Sequence, residues 1–546
     1  MSSRDNRILI GSSGGSGVEN PEFTRDSLDE FLQSVAPVTP RSKSRTTTYS
    51  TPELSRTSNR ISTPSNRPGV IFSPSSQNSP LKPSAQGVKF AERTNKGKVE
   101  EIFNSSIPLS KQPALRKRCH ITTLEGQMEA YRYMFEKIMN KADVLDDRIE
   151  YFAEVYQQHY GFEYFGHPAY PSQDAFTTIG RICCDAEGRL NDQSVMLEAS
   201  RAIGGGSRVK LILNETQEFA LFPGQIVALE GVNSSGNSIV VSKIYPLPPP
   251  DLYKSKAQAL LDFNYSEQGL AGAPMTVFVA SGPYTFEDNL SYEPLIELLA
   301  KVEEEKPDLG PFLDQDHPLI REGKIDQLPS EIFHSRISYP LSQLEQNCPG
   351  TNIVLVPSTK DICHEYTVLP QPPLLRSGGE LGLPRNIETV PNPAVFSVNE
   401  VKFGVISADM LFLLGAEEIA RFPNGMHTDR LARLSKHLLE QRSFYPLSPH
   451  SLAEPLSYSH LSQLNLLHSP DILILPSQLK HFTKVLDPYE VVCVNPGRLT
   501  RKQAGGTYAK LTIQNIAREK LEKEAPEETE LKHYIKERCR VDIVRV

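Results

Sequence analysis

No stretch of about 18 consecutive apolar residues occurs in the 546-residue sequence, so no membrane-spanning helix is readable in it. The opening seventeen residues hold only Ile8, Leu9 and Ile10 as an apolar core, too little for the hydrophobic region of a secretory signal. The seven cysteines (Cys119, Cys183, Cys184, Cys348, Cys363, Cys493 and Cys539) form no CxxC pair and no Cys/His spacing of the zinc-binding kind. Their reading is reduced, mostly buried thiols in a nuclear or cytosolic protein. Neither GxGxxG nor a Walker A sequence is present, which leaves dinucleotide and P-loop nucleotide folds without their phosphate-binding turns.

What is there is unevenly spread. Residues 1–118 carry 18 Lys and Arg against 10 Asp and Glu, whereas the whole chain has a net charge of −8, so the remainder is strongly acidic. An acidic body repels nucleic acid on average. The same residues 1–118 are rich in Ser, Thr, Pro and Arg and poor in large apolar side chains, which predicts a disordered tail. Within it, "DSLDEFLQSV" sets Leu28, Phe31, Leu32 and Val35 at helical spacing, either a docking helix or a stray helical turn. Thr39, Thr51, Thr63, Ser73 and Ser79 each precede proline, and Ser79-Pro80-Leu81-Lys82 fits the cyclin-dependent kinase preference. Each phosphate there would add about −1.5 to −2 charge and could switch a charge-dependent contact.

The length suggests two to four domains at roughly 150 residues each. Helical periodicity over Tyr131–Tyr160 predicts one or two helices, broken near Asp143. Between 171 and 246, "AFTTIGRICC", "QSVMLEA", "RVKLIL", "GQIVALEGV" and "SIVVSKIYP" read as short antiparallel strands separated by turn signals, the pattern of a small closed barrel of OB type. "PLPPP" at 246–250 closes the module as a stiff linker. Beyond 272 strands and helices alternate: "MTVFVA", "NIVLVP", "VKFGVIS", "DILILP", "EVVCVN", "GTYAKLTI" and "VDIVRV" as strands, and "YEPLIELLAKVEEE", "DMLFLLGAEEIARF" and "RLARLSKHLLEQR" as helices. This is a layered α/β domain with a mixed sheet. The stretch "IAREKLEKEAPEETELKHYIKERCR" reads as a solvated helix or loop.

Ligands of open α/β sheets bind beyond the carboxyl ends of strands, so those loops are the candidate site. They contribute Ser281 and Pro283, then Pro311 and Asp314, then Ser358, Lys360, Asp361 and His364, then Asp409, and finally Ser477 and His481. A two-metal phosphoesterase needs dense carboxylate, histidine and amide ligands converging on two cations about 4 Å apart. Ser-Gly-Pro-Tyr offers no such ligand, Pro311 stands where the first carboxylate of a Gly-Asp-x-x-Asp loop belongs, and Lys360 brings a cation toward the place a metal would occupy. These positions read as a degenerate former active site.

At this point the sequence resembles the accessory B-subunit family of replicative DNA polymerases, in particular the B subunits of polymerase alpha–primase. The resemblance rests on "ALFPGQIVALEGVNSSG", "VFVASGPYTFEDNLSYEPLIELL", "GPFLDQDHP", "VPSTKDICHEYTVLPQPPL", "LFLLGAEEI", "QRSFYPLSP", "PDILILPSQLKHF" and "CVNPGRLTRKQAGGTYAKL", in family order over most of 170–515. It implies an α+β multidomain chain: an OB-type barrel (169–250) and an inactivated calcineurin-like phosphoesterase domain (251–546), after a disordered tail (1–118) and a helical linker (119–168). It implies no catalytic residue, no metal and no cofactor. The implied role is that of a nuclear, non-catalytic scaffold binding the carboxyl-terminal, zinc-containing region of the polymerase alpha catalytic subunit. Primase and DNA are then reached through the complex, with no membrane and no small-molecule substrate. An active metallophosphoesterase and a single-strand-binding OB protein are the alternatives; for the latter, Phe176, Phe219 and Phe222 would have to stack on bases, whereas they read as core. The sequence departs from the family in three places, one of them the charged, insertion-like stretch "IAREKLEKEAPEETELKHYIKERCR". The family's amino-terminal helical domain has no readable counterpart, and the apolar strand expected before Gly310 is reduced to Leu309.

Overall fold

The computed structural model describes residues 90–546, apart from 110–112, 126–127, 187, 314–326, 376–380, 385–386, 424–427 and 528. The expectation of disorder in residues 1–89, with all five phosphorylation candidates, lies outside the described residues. Two strands, β1 (Val99–Phe103) and β2 (Ile121–Glu125), precede the helix α1 (Ile138–Tyr160). α1 runs unbroken past Asp143, where the sequence predicted an interruption. Ile149, Phe152, Ala153 and Tyr156 share one face and bury against Ile179, Ile226, Ala228 and Leu247 of the barrel, while Arg201 pairs with Asp143 and Asp146 in the turns before them. This packing outweighs the poor helix propensity of aspartate. The helix stops at Gly161, whose φ of 73° is the left-handed cap.

The barrel is the predicted one: β3 (Ser172–Cys184), β4 (Val195–Glu198), β5 (Arg208–Ile212), β7 (Ile226–Asn233) and β8 (Ser238–Tyr245), closed in the order β3-β4-β5-β8-β7. One pairing departs from expectation: β5 and β8 run parallel. The chain between β5 and β7 can cross the barrel end because the short strand β6 (Phe219–Leu221) leaves the barrel to pair elsewhere. Inward Ile182, Leu197, Val209, Leu211, Leu229, Ile239 and Val241 fill the interior. Phe219 and Phe222 are buried and Phe176 is partly so.

The layered domain holds two sheets. One is seven-stranded: β1, β24 (Cys539–Arg545), β22 (Thr507–Ile513), β10 (Met275–Ser281), β11 (Leu309–Leu313), β12 (Asn352–Val356) and β13 (Ile387–Thr389). The other is six-stranded: β18 (Phe482–Leu486), β19 (Val491–Asn495), β17 (Ile472–Ile474), β15 (Val401–Val405), β14 (Ala394–Val398) and β2. Their inner faces share one core, with Val277, Val279, Val354 and Val356 against Phe396, Phe403, Ile472, Ile474 and Val494. The near-continuous apolar runs of β10, β12 and β17 follow from burial on both faces. Helices α2 (Glu293–Glu305) and α3 (Tyr339–Asn347) cover the outer face of the first sheet, and α4 (Met410–Glu417) and α5 (Arg430–Glu440) that of the second.

Four further expectations are revised. The strand that looked missing before Gly310 is present, because Leu309–Leu313 itself forms β11, parallel between β10 and β12. Residues 99–103, expected within the tail, form the edge strand β1 on β24, and Arg118 bonds the buried Asp308 at 2.6 and 3.0 Å. "DMLFLLGAEEIARF" stops being helical at Glu417, and β16 (Ile419–Arg421) pairs with β6 of the barrel. The charged 516–540 stretch is anchored. Leu521 of α6 (Arg518–Glu524) buries against Leu260, and β23 (Glu530–Lys532) pairs with β9 (Lys254–Lys256). The proline-rich linker is also held, since Ser469 bonds Pro250 O at 3.0 Å and Asp251 O at 2.8 Å.

Candidate functional site

The loops at the carboxyl ends of β10, β12, β15, β17 and β19 are tied to one another by their own polar groups. Asp409, after β15, accepts from Phe412 N at 3.1 Å, which caps α4. The same carboxylate takes Gln478 N at 2.8 Å from the loop after β17, and Arg498 Nη2 lies 3.5 Å away. Asn495, the last residue of β19, accepts from Ser477 N at 3.0 Å and Gly497 N at 2.9 Å and donates to Lys480 O at 3.1 Å. Ser477 Oγ accepts from Leu479 N at 3.1 Å. Ser281 O, at the end of β10, accepts from Leu499 N at 2.8 Å, and Pro283 O accepts from Thr500 Oγ1 at 2.9 Å. Thr500 begins a small hairpin, β20 (Thr500–Arg501) with β21 (Ala504–Gly505). Asn392 joins the loops after β12 and β15, donating to Gln371 Oε1 at 2.7 Å and Ser407 Oγ at 2.6 Å.

The residues singled out from the sequence have similar internal roles. Lys360 Nζ lies 3.4 Å from Glu454, whose other oxygen takes Thr359 Oγ1 at 2.5 Å. Ser358 Oγ accepts from Lys360 N at 3.3 Å, and Asp361 Oδ1 accepts from Cys363 N at 3.0 Å. His364 is buried with both ring nitrogens engaged: Nε2 stands 2.9 Å from Pro372 O, and Nδ1 accepts from Tyr366 N at 3.0 Å. Burial pulls its pKa down, so the ring is neutral near pH 7. His481 is half-buried, and burial lowers its pKa as well. Pro311 lies inside β11 opposite Val354 and not in a loop, and Asp314 is outside the described residues.

Among the described residues no group of three or more His, Cys, Asp or Glu is placed to hold a metal ion. The donor set does not fit a two-cation centre: His364 and Asp409 have their lone pairs directed at backbone N–H groups or their protons at carbonyls. The sequence reading located these loops but missed Asn392, Asn495, Gln371 and Thr500, which tie them. Asn495 had a signal, a polar residue ending the apolar run "VVCVN"; the others had none.

A second polar centre lies where barrel and layered domain meet. Glu418, buried between α4 and β16, accepts from Arg433 at 2.8 and 3.0 Å and stands 3.0 Å from His437 Nε2. The His437 ring lies 4.9 Å from that of Phe222, at the end of β6. Gln441, just after α5, bonds both the N–H (2.8 Å) and the C=O (3.0 Å) of Ile226, the first residue of β7. Gly224 has φ of 98°, and a Cβ there would fall 2.3 Å from Ser448 N. With β6 paired to β16, the barrel is fixed to the layered domain by backbone contacts as well as side chains.

Family comparison places this barrel and two-sheet α/β body in the class of polymerase B subunits. Residues 277–484 match the family model for the B subunit of DNA polymerase alpha/epsilon, and residues 142–247 match that for the OB domain of the DNA polymerase alpha B subunit. The chain is 34% identical to the DNA polymerase alpha B subunit of Mus musculus over 473 residues, covering 85% of this chain and 75% of the relative. It is 36% identical to the protein of the same name from Schizosaccharomyces pombe over 455 residues, covering 79% and 76% respectively. The chain belongs to the family of DNA polymerase alpha B subunits.

Proposed function

We propose that this chain is a non-catalytic accessory subunit of the DNA polymerase alpha–primase complex. In this reading it works in the nucleus by holding the carboxyl-terminal region of the catalytic subunit and supporting primer synthesis at replication initiation. The layered domain is then a calcineurin-like phosphoesterase fold whose chemistry has gone. One observation carries the non-catalytic part: Asp409, Asn495, Ser477 and His364, at the ends of the strands, are hydrogen-bonded to neighbouring loops and not gathered around an open centre. The fixed junction through Gln441, Gly224 and β6–β16 supports the scaffold part, because it lets barrel and body present one surface. On the barrel, Arg181 and Arg208 both pair with Glu198, which engages both guanidinium groups and offsets one of their two charges, and this argues against a phosphate-tracking groove there. Ser79 and the four Thr/Ser-Pro positions of the tail are proposed as sites of cell-cycle phosphorylation. Copurification of the full chain with its partners, with mass spectrometry of the complex, tests the assignment. Recovery of the catalytic and primase subunits in constant ratio is expected. Metal-dependent hydrolysis of a generic phosphodiester by the purified chain would contradict it.

A further inference from the structure

A groove of about 340 Å³ runs between α1 and the segment 458–467, on the side of the body where α1 also meets the end of α5. Two guanidinium groups line it, and neither has a carboxylate partner among the described residues. Arg148 Nη2 donates to Gln441 O at 2.6 Å. Its pKa is pulled down to about 10 by burial and by Arg181 nearby, the sign of a cation held in the fold without a counter-ion. Arg442 Nη1 donates to Tyr151 Oη at 2.6 Å, while its buried Nε has no hydrogen-bond partner. Arg442 has φ of 46°, a left-handed conformation that residues with a side chain rarely adopt, and its carbonyl is fixed by Leu466 N at 2.8 Å. Backbone held in a strained conformation by its surroundings collects at binding sites. The walls are apolar where they meet solvent: Tyr151 is 41% and Leu467 53% exposed. Asp147, the one acidic side chain on the wall, forms no ion pair with either arginine.

We propose that this groove receives an acidic segment of the protein partner, with one carboxylate seated between Arg148 and Arg442 and an adjacent apolar side chain resting on Tyr151 and Leu467. The proposal deepens the accessory-subunit reading and rests on it: the partner is the carboxyl-terminal region of the catalytic subunit. Arginine presents a planar fork that a carboxylate matches in two bonds, and two guanidinium groups lining one groove without a carboxylate partner offer that recognition. Charge complementarity selects an acidic segment. The size of the groove selects a protein side chain over a nucleic-acid strand, because about 340 Å³ holds one or two side chains. An aromatic and a leucine beside a desolvated charge pair also make the kind of small centre that dominates protein interfaces.

The test measures binding of the full chain to the catalytic subunit's carboxyl-terminal region, comparing the parent with Arg442→Glu and Leu467→Glu. Leu467 is half-exposed and makes a fold-neutral probe should Arg442→Glu lower the melting temperature. Both variants are expected to bind at least about tenfold more weakly at 0.15 M salt, with Leu467→Glu melting as the parent does. Parent-like affinity of Leu467→Glu, or of a folded Arg442→Glu, would overturn the groove assignment while leaving the accessory reading in place. Failure of the parent chain itself to bind would overturn both. Binding of a single-stranded oligonucleotide that Arg442→Glu abolishes would assign the groove to phosphate and overturn the proposal in that way.

Discussion

His437 is the residue whose protonation matters most for the joint between barrel and body. Burial opposes its charge, but Glu418 and Glu440, 3.0 and 3.3 Å away, outweigh burial and lift its pKa to about 9. Burial likewise opposes ionisation of Glu418, yet His437 and Arg433 hold its pKa at about 2. A raised histidine pKa stabilises the fold fully below the unfolded value of about 6.5, and that contribution fades as pH rises through about 9. A depressed glutamate pKa stabilises above about 4.5 and is lost as pH falls toward about 2. The pair therefore contributes most between about pH 4.5 and 6.5. At roughly 1.4 kcal/mol per pH unit, the rise of His437 from 6.5 to about 9 is worth on the order of 3–4 kcal/mol. Replacing His437 by Leu should lower stability by about that amount at pH 6, with the gap narrowing toward pH 9.5 in denaturant titrations. A gap that stays constant across that range would refute the assignment. At the strand ends, Asp409→Ala should cost about 1–3 kcal/mol by losing a helix cap and the bond from Gln478. Elemental analysis of the folded chain should find no stoichiometric transition metal; one metal per chain would contradict the reading of these loops. Ser477, His481 and Lys360 could be placed at strand ends from sequence because the apolar runs before them are unambiguous. Their partners could not: Glu454 is 94 residues from Lys360 and Asn495 is 18 from Ser477, and no local pattern encodes such pairings.

Elements show where local pattern and tertiary packing part. The barrel strands were legible because each alternates between turns, and α2 and α5 because their apolar positions recur at helical spacing. β1 was not, since "VEEIF" is short and charged and becomes a strand only by pairing with β24. β11 was not, because Gly310 and Pro311 are poor strand formers that survive between two strong parallel neighbours. β1 also does more than close an edge. Its Glu101 accepts from Thr483 N at 3.0 Å in the opposite sheet, and Glu100 pairs with Arg545 at 2.9 Å. Arg118, beyond it, compensates Asp308, which is fully buried and also takes Thr276 N at 2.8 Å. A chain starting at residue 90 should therefore melt like the full chain. One starting at 119 should lose about 3 kcal/mol or more, since removal of Arg118 strands a buried carboxylate. Equal stabilities of the two truncations in thermal melts would show that β1 and Arg118 are dispensable. The joint can be probed separately: Gln441→Leu leaves the N–H and C=O of Ile226 unpaired and should cost about 2–4 kcal/mol. Faster amide exchange in β7 should accompany it.

Over the whole molecule, a barrel and a four-layer body joined by backbone pairing, a side-chain clamp and a tethered proline linker form a preorganised surface. Preorganisation cuts the ordering cost of association, which favours a lasting complex over a transient one. A permanent interface of this type is expected to bury roughly 2,000 Å² or more with an apolar centre. Its affinity then rests on burial and enclosed contacts, not on exposed ion pairs that salt screens. The scaffold account predicts that the interface forms without residues 1–89. The direct measurement is capture of the catalytic subunit's carboxyl-terminal region by the full chain and by a chain starting at residue 90, both in ~0.5 M salt, where the Debye length is only about 4–5 Å. Retention of the complex by both chains is the result predicted by the scaffold account. Dissociation of the full-chain complex in that salt, or its loss when the tail is absent, would contradict it.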